Sequence, residues 1–176
     1  MDIIVVCCII KILYTESGDA GGAAIMMIST RGRYALRVMV DLAAQNTDRY
    51  IPLKEIADRQ EISEKYLESI LKILVKNGLL EGMRGKGGGY RLTRSPEAYS
   101  VGSVLRLTED GLAPVACLTG EENLCHRRGF CSTLPMWQKL DNLISEFLDS
   151  VTLSDLMDSR ENPVFAIAED DAGAED

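Results

Sequence analysis

Histidine is nearly missing from this chain. It occurs once in 176 residues, as His126, with no evident acid–base partner and no Ser/His/Asp set around it. General acid–base and nucleophilic catalysis both rest on such groups, so the sequence reads as a non-enzyme. Aromatic residues are scarce at 6%, which fits a helical protein. The apolar opening stretch, Ile3 to Leu13 (IIVVCCIIKIL), is shorter than the roughly 20 residues that cross a bilayer, and no basic leader marks a signal peptide. Neither a membrane nor a small-molecule substrate is an expected partner. A phosphate loop of the form GxxxxGK[ST] is absent, although GKGGG (Gly85 to Gly89) superficially resembles one. The paired spacings CxxC and CxxxxC of structural zinc sites are absent too. Five cysteines is an odd number, so reduced thiols in a cytoplasmic protein are the better reading than a disulfide framework.

What the chain does have is an uneven charge. The net value of −8 argues at first against nucleic acid. Residues 27–94, however, carry 13 Lys/Arg against 8 Asp/Glu, while residues 95–176 carry 5 against 16 and residues 1–26 carry 1 against 3. The basic half is where DNA would bind. The length suits one domain with an oligomerisation arm, and 46% apolar residues can fill a core.

The pattern predicts a mainly α fold with a small β-wing. Thr30 is the expected cap of a first helix ending near Asn46, with Tyr34, Val38 and Leu42 on one face. Ile51-Pro52 breaks the chain before a short helix, Leu53 to Gln60. Glu61-Ile62 forms a tight turn, and Ser63 caps a third helix whose Leu67, Ile70, Leu71, Leu74 and Val75 share one face. Asn77-Gly78 ends it. Leu79–Met83 and Tyr90–Thr93 read as strands around the glycine turn, and Ser100 caps a further short helix. A long helix begins at Thr133, where Trp137, Leu140, Ile144, Phe147 and Val151 alternate steps of three and four, a seam for a partner helix. The expected organisation is an N-terminal extension outside the fold (1–26), a winged helix-turn-helix (27–108), a cysteine loop (109–132), a dimerisation helix (133–158) and an acidic disordered tail (159–176). If the extension is a start-site artefact, mass spectrometry of the native protein should find no intact Met1 terminus.

Helix, turn, helix and wing in this order compose a DNA reader. The third helix would enter the major groove with Ser63, Glu64, Lys65, Tyr66 and Glu68 outward. Lys65 and Tyr66 reach phosphates or base edges, and Glu68 accepts from cytosine while repelling wrong bases. Arg84 and Lys86 flank wing glycines that let the backbone approach phosphates, with Tyr90 closing the wing, and an arginine there suits a narrow minor groove. Arg31, Arg33 and Arg37 on the first helix add phosphate contacts.

Cys117, Cys125 and Cys131 lie in one polar loop, CLTGEENLCHRRGFC, with seven and then five residues between them. Three soft ligands there suit a metal or an iron–sulfur cluster. Arg127 and Arg128 beside Cys125 favour thiolate. A thiol or zinc switch on the same cysteines remains open, as does a small redox or electron-transfer protein that uses the winged helix for protein docking.

STRGRYALRVMVDLA, ISEKYLESILKILVKNGLL and RGKGGGYRL together resemble the Rrf2 family of bacterial transcription regulators, over about Met27 to Asp158. The resemblance implies a homodimer on a double-stranded DNA operator, with Ser63–Glu68 as reading helix, Arg84–Tyr90 as wing and Leu134–Val151 as dimer helix. It also implies a cluster on Cys117, Cys125 and Cys131, [2Fe–2S] in preference to [4Fe–4S]. The fourth ligand departs from the pattern. The iron–sulfur cluster regulator branch has His three residues after the last cysteine, where this chain has Leu134, and the first-helix Asp of other members falls at Arg33. That leaves Glu121, Glu122, His126, a partner-chain residue, or an exogenous thiol or water. His126 adjoins Cys125, so sharing one iron is awkward and it reads as solvent-facing.

Overall fold

The computed structural model describes residues 28–45, 49–120, 122–123 and 125–157. The N-terminal extension and the acidic tail expected from the sequence lie outside these residues. Helix α1 (Thr30–Ala44) buries Ala35, Val38, Met39, Leu42 and Ala43. Its cap is Ser29, one residue before the expected Thr30. The Ser29 hydroxyl accepts from the Gly32 N–H at 3.2 Å. Ser29 is held in place by Glu109, whose carboxylate accepts from the Ser29 N–H at 3.2 Å and hydroxyl at 2.8 Å. Across the same junction, Arg31 Nε donates to the Thr108 carbonyl at 2.6 Å.

Helix α2 (Leu53–Gln60) follows Pro52, and Glu61 turns the chain in the left-handed region at φ 55°. Helix α3 (Glu64–Lys76) then buries Leu67, Ile70, Leu71 and Leu74. Ser63 holds the cap position with extended backbone, yet its hydroxyl makes no capping bond. Gly78, at φ 71°, reverses the chain into the wing.

The wing pairs β1 (Leu80–Met83) with β2 (Gly89–Leu92), antiparallel, Leu80 opposite Leu92 and Met83 opposite Gly89. Ile51 and Tyr90 exchange backbone hydrogen bonds of 2.9 and 2.8 Å, which ties the wing to the segment before α2. A Cβ on Gly89 would collide with the Ile51 carbonyl, so this close approach requires glycine. Tyr99, fully buried, accepts from the Thr93 and Arg94 N–H groups at 2.9 and 2.7 Å and donates to the Leu79 carbonyl at 3.0 Å. One side chain thus satisfies three backbone groups at the wing's base.

Helix α4 (Val101–Thr108), capped by the Ser100 hydroxyl, packs on α1. The cysteine loop follows, with single 3₁₀ turns at Ala116–Leu118 and Arg128–Phe130. Helix α5 (Leu134–Ser150) has Pro135 in its first turn and no buried residue. Helix α6 (Leu153–Met157) returns to the core through Leu153. Val151 was expected on the exposed seam; the structure instead buries it to 3% exposure with Val101 and Leu105. The chain leaves α5 there, and the Val101 N–H donates to the Val151 carbonyl at 2.8 Å, drawing the residue inward. Among the described residues, no helix is long and apolar enough to cross a membrane.

Gly32 sits beneath the Glu109 carboxylate, and a Cβ there would strike Glu109 Oε1 and lie 3.1 Å from Leu105 Cδ2. Gly32→Ala should therefore lower unfolding free energy by about 1–3 kcal/mol in urea titration. Gly129→Ala, facing open space, should stay within about 0.5 kcal/mol.

Candidate functional site

The buried stripe of α3 leaves the opposite face of its first turn in solvent, so Ser63, Glu64, Lys65 and Tyr66 are exposed. The backbone N–H groups of a helix's first turn carry partial positive charge, which favours a nearby phosphate. Tyr66 meets the Tyr34 ring edge-on, with centroids 6.0 Å apart at 75°. Arg37 lies 5.2 Å from the Tyr34 ring centre and donates to the Gln60 carbonyl at 2.6 Å and side-chain oxygen at 3.1 Å. An aromatic and cationic ledge therefore borders the helix-turn-helix. Sequence periodicity placed Tyr34 on the core face only and missed its part in this ledge.

Glu68 pairs with Lys72 at 3.1 Å, one turn on. Both face the wing across an open groove of about 550 Å³, lined also by Lys76, Met83, Arg84 and Tyr90. Lys72 and Lys76 were not singled out from sequence, although the four-residue steps from Glu68 place all three on one face. Arg84 and Lys86 are exposed at the wing tip, where Gly85 and Gly87 take φ values of 92° and 78°. Tyr90 is half-buried.

The other two first-helix arginines, Arg31 and Arg33, turn elsewhere. Arg31 reaches the end of α4 and lies 3.8 Å from Asp110, so it braces the start of the cysteine loop rather than the groove. Arg33 donates to the Thr30 hydroxyl at 3.2 Å.

All three loop cysteines are free thiols of intermediate exposure. The Cys125 N–H donates to Asn123 Oδ1 at 3.0 Å. Cys117 lines an open, polar cavity of about 540 Å³ with Asn123, Gln138, Asp141 and Asn142. Asn123 Nδ2 is buried without a hydrogen-bond partner. Cys131 lies 3.4 Å from the Thr133 hydroxyl, just before α5. That hydroxyl holds the thiol below its ordinary pKa, helped by the Thr133 and Leu134 backbone and by the charge of Arg127. Among the described residues, no three of His, Cys, Asp and Glu converge as a ready metal site. Glu122 and His126 are exposed, and Glu121 lies outside the described residues.

On α5 the large exposed apolar side chains are Met136, Leu140, Leu143 and Phe147, at 39–54% exposure. Their steps of four, three and four make a continuous stripe. Of the residues expected on the seam, Leu140 and Phe147 lie on this stripe, Trp137 and Ile144 are half-buried beside it, and Val151 is in the core.

Three comparisons place this arrangement among known proteins. A family model described as "Iron-dependent Transcriptional regulator" matches residues 28–159. The HTH-type transcriptional regulator IscR of Erwinia tasmaniensis is 37% identical over 141 residues, spanning 80% of this chain and 84% of that protein. Among solved structures, T. potens IscR aligns with a TM-score of 0.61 at 36% identity, over 77% of this chain and 88% of that one. CymR of B. subtilis, titled the global cysteine regulator, aligns with a TM-score of 0.61 at 35% identity, over 76% and 97%.

Removing the Thr133 hydroxyl takes away the first of the groups that favour the Cys131 thiolate. In metal-free protein, Thr133→Val should move the pH midpoint of Cys131 alkylation by iodoacetamide upward, as read by peptide mapping. An unchanged midpoint would show that the backbone and Arg127 suffice.

Proposed function

The chain belongs to the Rrf2 family of transcriptional regulators, and from that premise we propose that it is a cytoplasmic homodimer that binds an operator in duplex DNA and answers to iron–sulfur or redox status through Cys117, Cys125 and Cys131. The observation that carries the DNA reading is the pairing of α3 with the wing across one groove. In this reading α3 enters the major groove. Ser63, whose hydroxyl is spared from capping, joins Lys65 and Tyr66 at phosphates or base edges. Glu68 disfavours bases that present acceptors to it. Arg84 and Lys86 hold the flanking backbone. The Met136, Leu140, Leu143 and Phe147 stripe pairs with the same stripe of a second copy, which would cover an otherwise exposed apolar face.

The donor set suits an iron–sulfur cluster in kind: three soft thiols on one polar loop, with the Cys131 thiol held below its ordinary pKa by the Thr133 hydroxyl. In arrangement it is not assembled within the described chain. The hydrogen bonds of Cys125 and Cys131, and those of the turn around Cys117, run to near neighbours in the chain, so convergence asks for little beyond movement of the loop itself. Asn123 Nδ2 is a spare donor at that place. Cys117, Cys125 and Cys131 would hold the group, as a [2Fe–2S] cluster with its fourth ligand from outside this set. When bound, such a cluster would supply iron–sulfur bonds that oxidants break and electrons alter. The loop is joined at one end to α1 through Glu109–Ser29 and leads at the other into α5. A change in its shape therefore reaches both the DNA-binding head and the dimer stripe.

A second reading, a thiol switch on the same cysteines, is favoured by the Thr133–Cys131 contact. Absorption and metal analysis of anaerobically purified protein separate the two. The cluster reading expects visible charge-transfer bands and iron that Cys117→Ala or Cys131→Ala abolishes; colourless, iron-free protein would leave the thiol switch. On the DNA side, Arg84→Ala should weaken binding nearly uniformly across sequences and lower the slope of log affinity against log salt by about one. A loss confined to particular bases would assign Arg84 to base reading instead.

A further inference from the structure

Helix α5 is held to the winged head at its last turn. Arg106 of α4 grips Asp149 with both guanidinium nitrogens, at 2.6 and 2.7 Å. The grip sits over Gly102, one turn before Arg106. A Cβ at that position would collide with Asp149 Oδ1 and lie 2.8 Å from Arg106 Nη1. Leu148 packs on the small cluster of Val101, Leu105 and Val151 just beyond. An isolated surface ion pair adds little to stability. This one is bidentate and seated in a notch, so it restricts direction more than it adds energy.

Direction matters because α5 is a lever. Its 17 residues span about 25 Å at 1.5 Å per residue. A tilt of roughly 8° at one end of such a lever moves the other by about 3.4 Å, the rise of one base pair. In a dimer clamped along the Met136–Phe147 stripe, any tilt at the joint becomes a displacement of one reading helix from the other. Half-site spacing on DNA is set by that separation.

We propose that the Arg106–Asp149 pair, seated in the notch left by Gly102, fixes the angle between α5 and the winged head and so sets the half-site spacing that the dimer accepts. The inference rests on the dimeric DNA-binding reading above. Arg106 and Asp149 act through α5 and touch no DNA; they are positioning residues for specificity. Asp149, held below the ordinary carboxylate range by the Arg106 hydrogen bonds, keeps its charge for this contact at neutral pH.

The test uses the full chain. A duplex selected by it from a randomised pool is rebuilt with the centre lengthened or shortened by one and two base pairs, and affinities are measured at one salt concentration. The wild type should lose about tenfold or more for a single base-pair change. Gly102→Ala and Arg106→Gln should each flatten that profile to about threefold, with half-site affinity and dimerisation, by sedimentation, unchanged. Arg106→Lys, which keeps one ion pair, should fall between. Arg106→Gln adds no atom to the notch, so it decides the matter should Gly102→Ala not fold. A spacing profile in Arg106→Gln identical to the wild type would overturn the proposal. A wild-type chain that sediments as a monomer, or selects a duplex without two symmetric half-sites, would instead overturn the dimer reading beneath it.

Discussion

Four side chains of α3 decide what the winged head can present. Leu67, Ile70, Leu71 and Leu74 are wholly buried, each worth about 1.5–3 kcal/mol against exposure. With that face fixed, Ser63, Glu64, Lys65 and Tyr66 have nowhere to go but solvent. Gly78 then brings the wing alongside, and Tyr99 and the Ile51–Tyr90 bridge hold it there. The groove between α3 and the wing is a consequence of this packing.

The short helix α4 is the second organising element. Its C-terminus meets the start of α1 through Thr108, Glu109, Ser29 and Arg31, and one face of it, Gly102 and Arg106, meets the end of α5 at Asp149. Two glycines, Gly32 and Gly102, provide the room for a carboxylate at each joint. Head, cysteine loop and long helix thus share one eight-residue support. Rigid elements of this kind can carry coupling between distant sites.

Much of this was legible in the sequence, for identifiable reasons. The bounds of α2 and the buried face of α3 follow from Pro52, Glu61-Ile62 and the three-four apolar rhythm, all local signals. The wing follows from its glycines. What escaped was decided by partners far along the chain. Ser29, not Thr30, caps α1 because Glu109, 80 positions away, holds it. Arg31 turns to the Thr108 carbonyl, and Val151 folds into the core although its heptad position suggested a partner helix. Lys72 and Lys76 matter only once the wing is seen opposite them. The cysteine spacing signalled a ligand set, but spacing says nothing of whether the thiols are already gathered, and in the described chain they are not.

The claim on which the rest turns is that the cysteine loop and the DNA-reading groove are coupled. Its most direct test is the affinity of the full chain for one selected duplex, at a single salt concentration and without oxygen, before and after treatment with an iron chelator. The account predicts two affinities at least about fivefold apart, a coupling of roughly 1 kcal/mol or more. Equal affinities in the two states would contradict it.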